Sequence, residues 1–194
     1  MKNYFLISLV CVASTVLLSS CTIKRTVKVE KQSFENIKKL YNTNNIPLQQ
    51  VFIIKDPYSY NELGNKDLNS LSQVLIFNKN GKQVKYFNED TCNDDTKEYI
   101  ENYNPNIEET EFFDYTISEY SSHLLFLSDF KQPNFEHLSK NIVFVNTATF
   151  GNVLGINKKS FKLKEYNNEN FEIYFINLDI PDTWNVDFDV KEEK

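Results

Sequence analysis

Asn141 to Asp179, NIVFVNTATFGNVLGINKKSFKLKEYNNENFEIYFINLD, is the stretch whose reading decides the fold. Its first six residues, Asn141 to Asn146, form a short and almost unbroken apolar run rich in β-branched and aromatic side chains. That is the profile of a strand buried on both faces. Phe171 to Leu178 (FEIYFINL) repeats the profile and stops at Asp179. Between them, Thr147 to Gly155 reads as a loop and Ile156 to Tyr166 (INKKSFKLKEY) as a helix. Strand, helix and strand at this spacing predict a right-handed parallel pair, because a parallel partner needs a crossover of this length.

Upstream, the same alternation continues. Ser33 is placed to cap a helix over Phe34 to Tyr41 (FENIKKLY), where Phe34, Ile37, Leu40 and Tyr41 recur at helical spacing. Gln50 to Lys55 (QVFIIK) ends at Asp56-Pro57 and reads as another buried strand. Tyr58 to Ser72 is polar, with room for a short helix. Gln73 to Phe77 and Gln83 to Phe87 flank Asn80-Gly81, a strong hairpin signal if both turn residues take positive φ. Asp94 or Asp95 is the expected cap of a helix running to Asn102, before Pro105. Asn106 to Ser122 is acidic and aromatic without a clean period, and His123 to Phe130 receives no assignment. Thr26 to Val29 could add an edge strand, and Asp187 to Lys194 reads as a loose acidic tail. The expected fold class is α/β, a mixed β-sheet flanked by helices in one domain over residues 34–186.

Composition supports a folded chain with an aromatic core: 41% of residues are hydrophobic, and 16 Phe and 11 Tyr stand against one Trp. The formal charge of −6 argues against nucleic acid as a partner, since that requires a basic face.

Residues 1–20 carry an address. Lys2 supplies a positive start, Tyr4 to Leu18 a mostly apolar run, and Leu18-Ser19-Ser20-Cys21 follows at once. This signature resembles the lipobox of bacterial lipoproteins. The resemblance implies removal of residues 1–20, acylation of Cys21, and a lipidated tether over residues 21–33. Two or three acyl chains, at about 0.8 kcal/mol per buried CH2, make a lasting anchor where one chain is marginal. The implied location is the bacterial cell envelope. Thr22 follows Cys21 rather than the aspartate of inner-membrane retention, which favours the outer membrane.

Val143 to Asp179 also resembles the thioredoxin-like family: its first strand, active-site turn, first helix and second strand, ending in Asn177-Leu178-Asp179. Gln50 to Tyr103 resembles the remainder, with a strand, the hairpin at Asn80-Gly81 and a closing helix, so the halves stand in reversed order. Where the family carries its redox Cys-x-x-Cys, this chain has Phe150, Gly151, Asn152 and Val153, and Leu71-Ser72-Gln73 stands where the family has a cis-proline. Dithiol exchange requires an attacking thiolate and a second thiol to resolve the mixed disulfide. The resemblance therefore implies the scaffold without its catalysis, with an envelope protein or a ligand as partner and no cofactor.

Other chemistries are thinly supported. Once Cys11 leaves with the signal and Cys21 takes lipid, Cys92 is the remaining thiol, so no intramolecular disulfide is expected. Carboxylates crowd Cys92 (EDTCNDD) and should suppress its thiolate, while a helix start at Asp94 would oppose them. It reads as a semi-buried inert thiol; the alternative is a one-cysteine redox protein. His123 and His137 lack partners at zinc spacing, and no metal site is expected. Gly151 to Lys158 fails the P-loop spacing, no Gly-x-Ser-x-Gly is present, and Asn88 to Asp95 lacks the glycine and terminal glutamate of a calcium loop. Asp56 and Asp179 end apparent parallel strands, where open α/β sheets bind ligands, although turn stabilisation or helix capping is the commoner use. Trp184, after Pro181, is expected to fold back over the domain edge.

Overall fold

The computed structural model describes residues 31–71, 73–86, 93–107, 111–153 and 155–185. Cys21, Cys92, Thr26 to Val29 and residues 187–194 lie outside them, as do residues 1–20 and most of the expected tether over residues 21–33. In chain order the elements are α1 (Phe34–Thr43), β1 (Val51–Ile54), α2 (Pro57–Asn65), β2 (Val74–Phe77), β3 (Lys82–Val84) and α3 (Asn93–Glu101). Then follow β4 (Phe112–Thr116), α4 (Ile117–Ser121), β5 (Leu124–Phe126), β6 (Asn141–Thr147), α5 (Thr149–Val153), α6 (Ile156–Lys162) and β7 (Phe171–Asn177).

Seven strands form one mixed sheet in the order β4-β3-β2-β6-β7-β1-β5. β6 and β7 pair in parallel from Asn141↔Phe171 to Thr147↔Asn177, as the opening stretch predicts, and β1 joins β7 in parallel on its other side. β2 lies antiparallel to β6, and β3 antiparallel to β2. The α/β mixed-sheet class is therefore what the chain adopts.

Strand alternation divides the core in two. Val51, Ile53, Val74, Ile76, Val143, Val145, Ile173 and Phe175 point to one face, where Ile37, Leu40 and Tyr41 of α1, Ile100 of α3 and Phe161 of α6 cover them. Phe52, Ile54, Leu75, Phe77, Ile142, Phe144 and Ile176 point to the other, under Leu63 of α2 and Ile117 and Tyr120 of α4. Strands buried on both faces explain why β1, β2 and β6 read as continuous apolar runs instead of alternating ones.

Several local readings hold in detail. Ser33 caps α1, its Oγ accepting from Asn36 N–H at 3.2 Å. Asp56 caps α2, accepting from Ser59 N–H at 2.7 Å, with Pro57 at the first helical position. Others need correction. The helix after the hairpin starts at Asn93, so Asp94 and Asp95 belong to its first turn and do not precede it. Thr147 to Gly155 is no simple loop, because Thr149–Val153 winds into a short helix. The helix from Ile156 tightens into a 3-10 turn at Leu163–Tyr166.

The hairpin forms, but only Gly81 takes positive φ (+75°); Asn80 does not. Asn78 does the remaining work, its side-chain oxygen accepting from Asn80 N–H at 3.0 Å and Lys82 N–H at 3.1 Å. A Cβ on Gly81 would sit 3.0 Å from Ile117 Cγ2, within the left-handed region that disfavours side chains. Gly81→Ala should cost about 1–2 kcal/mol, read as a lowered urea midpoint at unchanged m-value. An unchanged midpoint would contradict this account of the turn.

The aperiodic segment holds β4 and α4. Their boundary is a capping box: Thr116 Oγ1 accepts from Glu119 N–H at 3.3 Å, and Glu119 Oε2 accepts from Thr116 N–H at 2.9 Å. The same carboxylate accepts from the Thr116 hydroxyl at 2.8 Å, and these bonds lower the pKa of Glu119. A carboxylate whose folded pKa is depressed stabilises above its unfolded value near 4.3 and ceases to do so as pH falls through the folded one. Glu119→Ala should therefore cost about 1 kcal/mol at pH 7, as cap losses do, and less at pH 3. Urea melts of both proteins at the two pH values check it; a gap that widens in acid would contradict it.

Candidate functional site

β6 and β7 end together, since Thr147 pairs with Asn177 and Leu178 N–H donates to Thr147 C=O at 2.8 Å. Just beyond this end the backbone pairing stops, and side chains must satisfy what the sheet leaves over. Asp179 does most of this. Only 4% exposed, its carboxylate accepts from Thr149 N–H at 2.8 and 3.0 Å through its two oxygens. It also accepts from Thr149 Oγ1–H at 2.5 Å and Asn177 Nδ2–H at 2.8 Å. Asn177 Oδ1 in turn accepts from Asp179 N–H at 3.2 Å. A buried charge is tolerable only when hydrogen-bonded in this way.

Above this pair sits Tyr41 of α1, fully buried, its hydroxyl 2.7 Å from Thr147 Oγ1. The Thr147 hydroxyl itself donates to Ile176 C=O at 3.2 Å. Burial pushes the Tyr41 phenol far above its ordinary pKa, despite bonds to Thr147 and Asn177, and the charge of Asp179 adds to the rise. Tyr60 of α2 is shifted the same way, by burial first and then by Asp179. Trp184 packs edge-on against Tyr60 at 6.4 Å between ring centroids, folding back over the domain edge as its place in the sequence suggests.

Phe150, Gly151, Asn152 and Val153 lie in α5, the helix whose first residue Asp179 holds. Phe150 is 37% exposed, while Gly151 is buried. A Cβ on Gly151 would fall 2.5 Å from Asn157 Oδ1, so any larger residue must displace the buried Asn157 side chain. Asn157 donates from Nδ2 to Ala148 C=O at 2.7 Å, and its Oδ1 is buried without a hydrogen-bond partner. Asn152 is exposed, and the side chain of Val153 lies outside the described residues.

Thus Asp56 and Asp179, each two residues past the end of the adjacent strands β1 and β7, both serve as hydrogen-bond acceptors for the helix that follows or faces them. His123 is lowered in pKa by partial burial and then by Lys66, opposed by Glu62 and Asp56. Among the described residues no three His, Cys, Asp or Glu side chains gather as metal ligands, and no helix is long and apolar enough to cross a membrane. The sequence points to Asp179 by its place at the end of an apparent parallel strand, but does not mark Tyr41, Thr147 or Thr149 as its neighbours. Tyr41 lies 106 residues from Thr147, and nothing local marks such a pair. No family model, curated protein or solved structure matches this chain.

Proposed function

We propose that this chain is a lipid-anchored protein of the bacterial cell envelope, outer membrane favoured, whose thioredoxin-like domain binds a protein partner or ligand without thiol catalysis. The observation that carries the domain half is the turn after β6. There the exposed ring of Phe150 opens the position that a redox pair would need, and α5 is held through Thr149 by the buried Asp179. The parallel β6–β7 pair, with β2 antiparallel to β6 and β3 antiparallel to β2, is compatible with that reading. An exposed aromatic at a strand–helix turn suits contact, not electron transfer. Fold alone does not fix function, so the test must be chemical. The purified mature protein should show no thiol–disulfide turnover with a peptide disulfide, and turnover above the uncatalysed rate would overturn the domain reading.

The anchor half rests on Leu18 to Cys21. Cells fed labelled palmitate should mark the wild-type protein and leave Cys21→Ala blank, with the mutant left as an uncleaved precursor or released. Label persisting in the mutant would overturn the lipoprotein reading.

A further inference from the structure

Asn80-Gly81 is the chain's single Asn-Gly pair, and Asn80 stands exposed at the tip of the β2–β3 hairpin. Such a pair holds its own electrophile and nucleophile, the side-chain carbon Cγ of Asn80 and the main-chain nitrogen of Gly81, with no Cβ on the glycine to obstruct their approach. The turn restrains that nitrogen. Gly81 N–H donates to Asn78 C=O at 2.8 Å, neither Lys79 nor Asn80 takes positive φ, and Gly81 follows at +75°. Asn78 Oδ1 fixes the flanking N–H groups of Asn80 and Lys82, and Asn78 N–H donates to Lys82 C=O at 2.9 Å. Gly81 is also held from its far side, its buried C=O accepting from Ile117 N–H at 2.8 Å.

We propose that Asn80 is a site of spontaneous deamidation gated by this turn, and that the isoaspartate it forms unlatches β4 and α4 from the hairpin. While the turn is closed, Gly81 N–H is committed to Asn78 C=O and its proton is harder to remove. Once the hairpin opens, Gly81 N loses that proton to water and attacks Cγ of Asn80. The new C–N bond closes a succinimide ring, and the side-chain nitrogen takes up a proton and leaves as ammonia, with no change of oxidation state. Water then opens the ring at either carbonyl. Breaking the bond at the former main-chain carbonyl gives isoaspartate, whose main chain runs through the side chain and is longer by one methylene. That added atom shifts Gly81 against Asn78 and Ile117, where space is short: even a Cβ on Gly81 would lie 3.0 Å from Ile117 Cγ2. Ile117 is the first residue of α4 and Thr116 of β4 pairs with Lys82, so the change reaches the edge of the sheet. The ordinary aspartate product keeps the native main chain and leaves these contacts in place.

The test follows isoaspartate at position 80, by isoaspartyl methyltransferase labelling and peptide mapping, in the full chain held in mild detergent at slightly alkaline pH. A free peptide from Val74 to Val84 is incubated beside it. The peptide should convert fastest and the wild-type chain at least about tenfold more slowly, because a turn that opens and closes quickly reacts only in its open fraction. Asn78→Ala strips both side-chain bonds from the turn and should react several-fold faster than wild type. Asn78→Asp keeps an acceptor there and should stay close to wild type. If Asn78→Ala does not fold, Asn78→Ser, a weaker acceptor, replaces it with the same order expected. The isoaspartate form, separated by chromatography, should unfold at a lower urea midpoint than the unmodified chain, while Asn80→Asp should match the unmodified chain. A chain that reacts as fast as the peptide, a loosened variant no faster than wild type, or an isoaspartate form of unchanged midpoint overturns the proposal.

Discussion

Asp179→Ala should destabilise the domain by about 3–4 kcal/mol, because it strands donors instead of merely deleting a contact. Thr149 N–H and Asn177 Nδ2–H both lose their acceptor, as does the Thr149 hydroxyl, in a place only 4% exposed. An unpaired buried donor costs about 1–3 kcal/mol, and bonds to a charged acceptor are the stronger kind. The sum is less than additive, since Thr149 supplies two of the bonds and α5 can shift. Asp179→Asn keeps one oxygen but turns an NH2 toward other donors, so it should fall between wild type and alanine. Urea midpoints of the three proteins at pH 7 would read this order. A loss below 1 kcal/mol for alanine would mean that the carboxylate is not what closes this end of the sheet. Total stability of a domain is about 5–15 kcal/mol, so the alanine variant should also sit near the limit of folding at growth temperature.

Phe144→Ala should be at least as damaging, at about 3–5 kcal/mol. Phe144 lies in β6 at the middle of the sheet and is fully buried. Its ring stacks on Tyr120 at 5.4 Å and meets Phe77 at 5.6 Å, Phe52 at 5.7 Å and Phe135 at 5.8 Å. Removing it empties the centre of an aromatic cluster drawn from β1, β2, α4 and the segment before β6, and rigid rings collapse poorly into such a space. Phe113→Ala on the edge strand β4, where the ring is 42% exposed, should change stability by no more than about 0.5 kcal/mol. Thermal melts of both variants would make the contrast. Comparable shifts would show that the cluster around Phe144 does not dominate the core.

Much of the fold was legible because it is written in local periods. The apolar runs of β1, β2, β6 and β7, the caps Ser33 and Asp56, and the Asn78 to Gly81 turn each state their structure within a few residues. The capping box at Thr116 and Glu119 was equally local, yet it went unread because the five-residue strand before it has no buried face to alternate. β4 becomes a strand only because β3 offers it an edge.

The sequence by itself therefore determined the type of most of the longer elements, the parallel pairing of β6 with β7, and which apolar runs are buried strands. Those properties follow from side-chain period, turn chemistry and the length of a crossover. Only the tertiary structure decided that β1 lies beyond β7 and β2 beside β6, bringing the two halves of the chain into one sheet. It alone placed Tyr41 on Thr147, Asp179 on Thr149 and Phe130 on Phe34. Contacts across such sequence separations carry no local signature, because they are set by which surfaces remain to be buried once the elements exist.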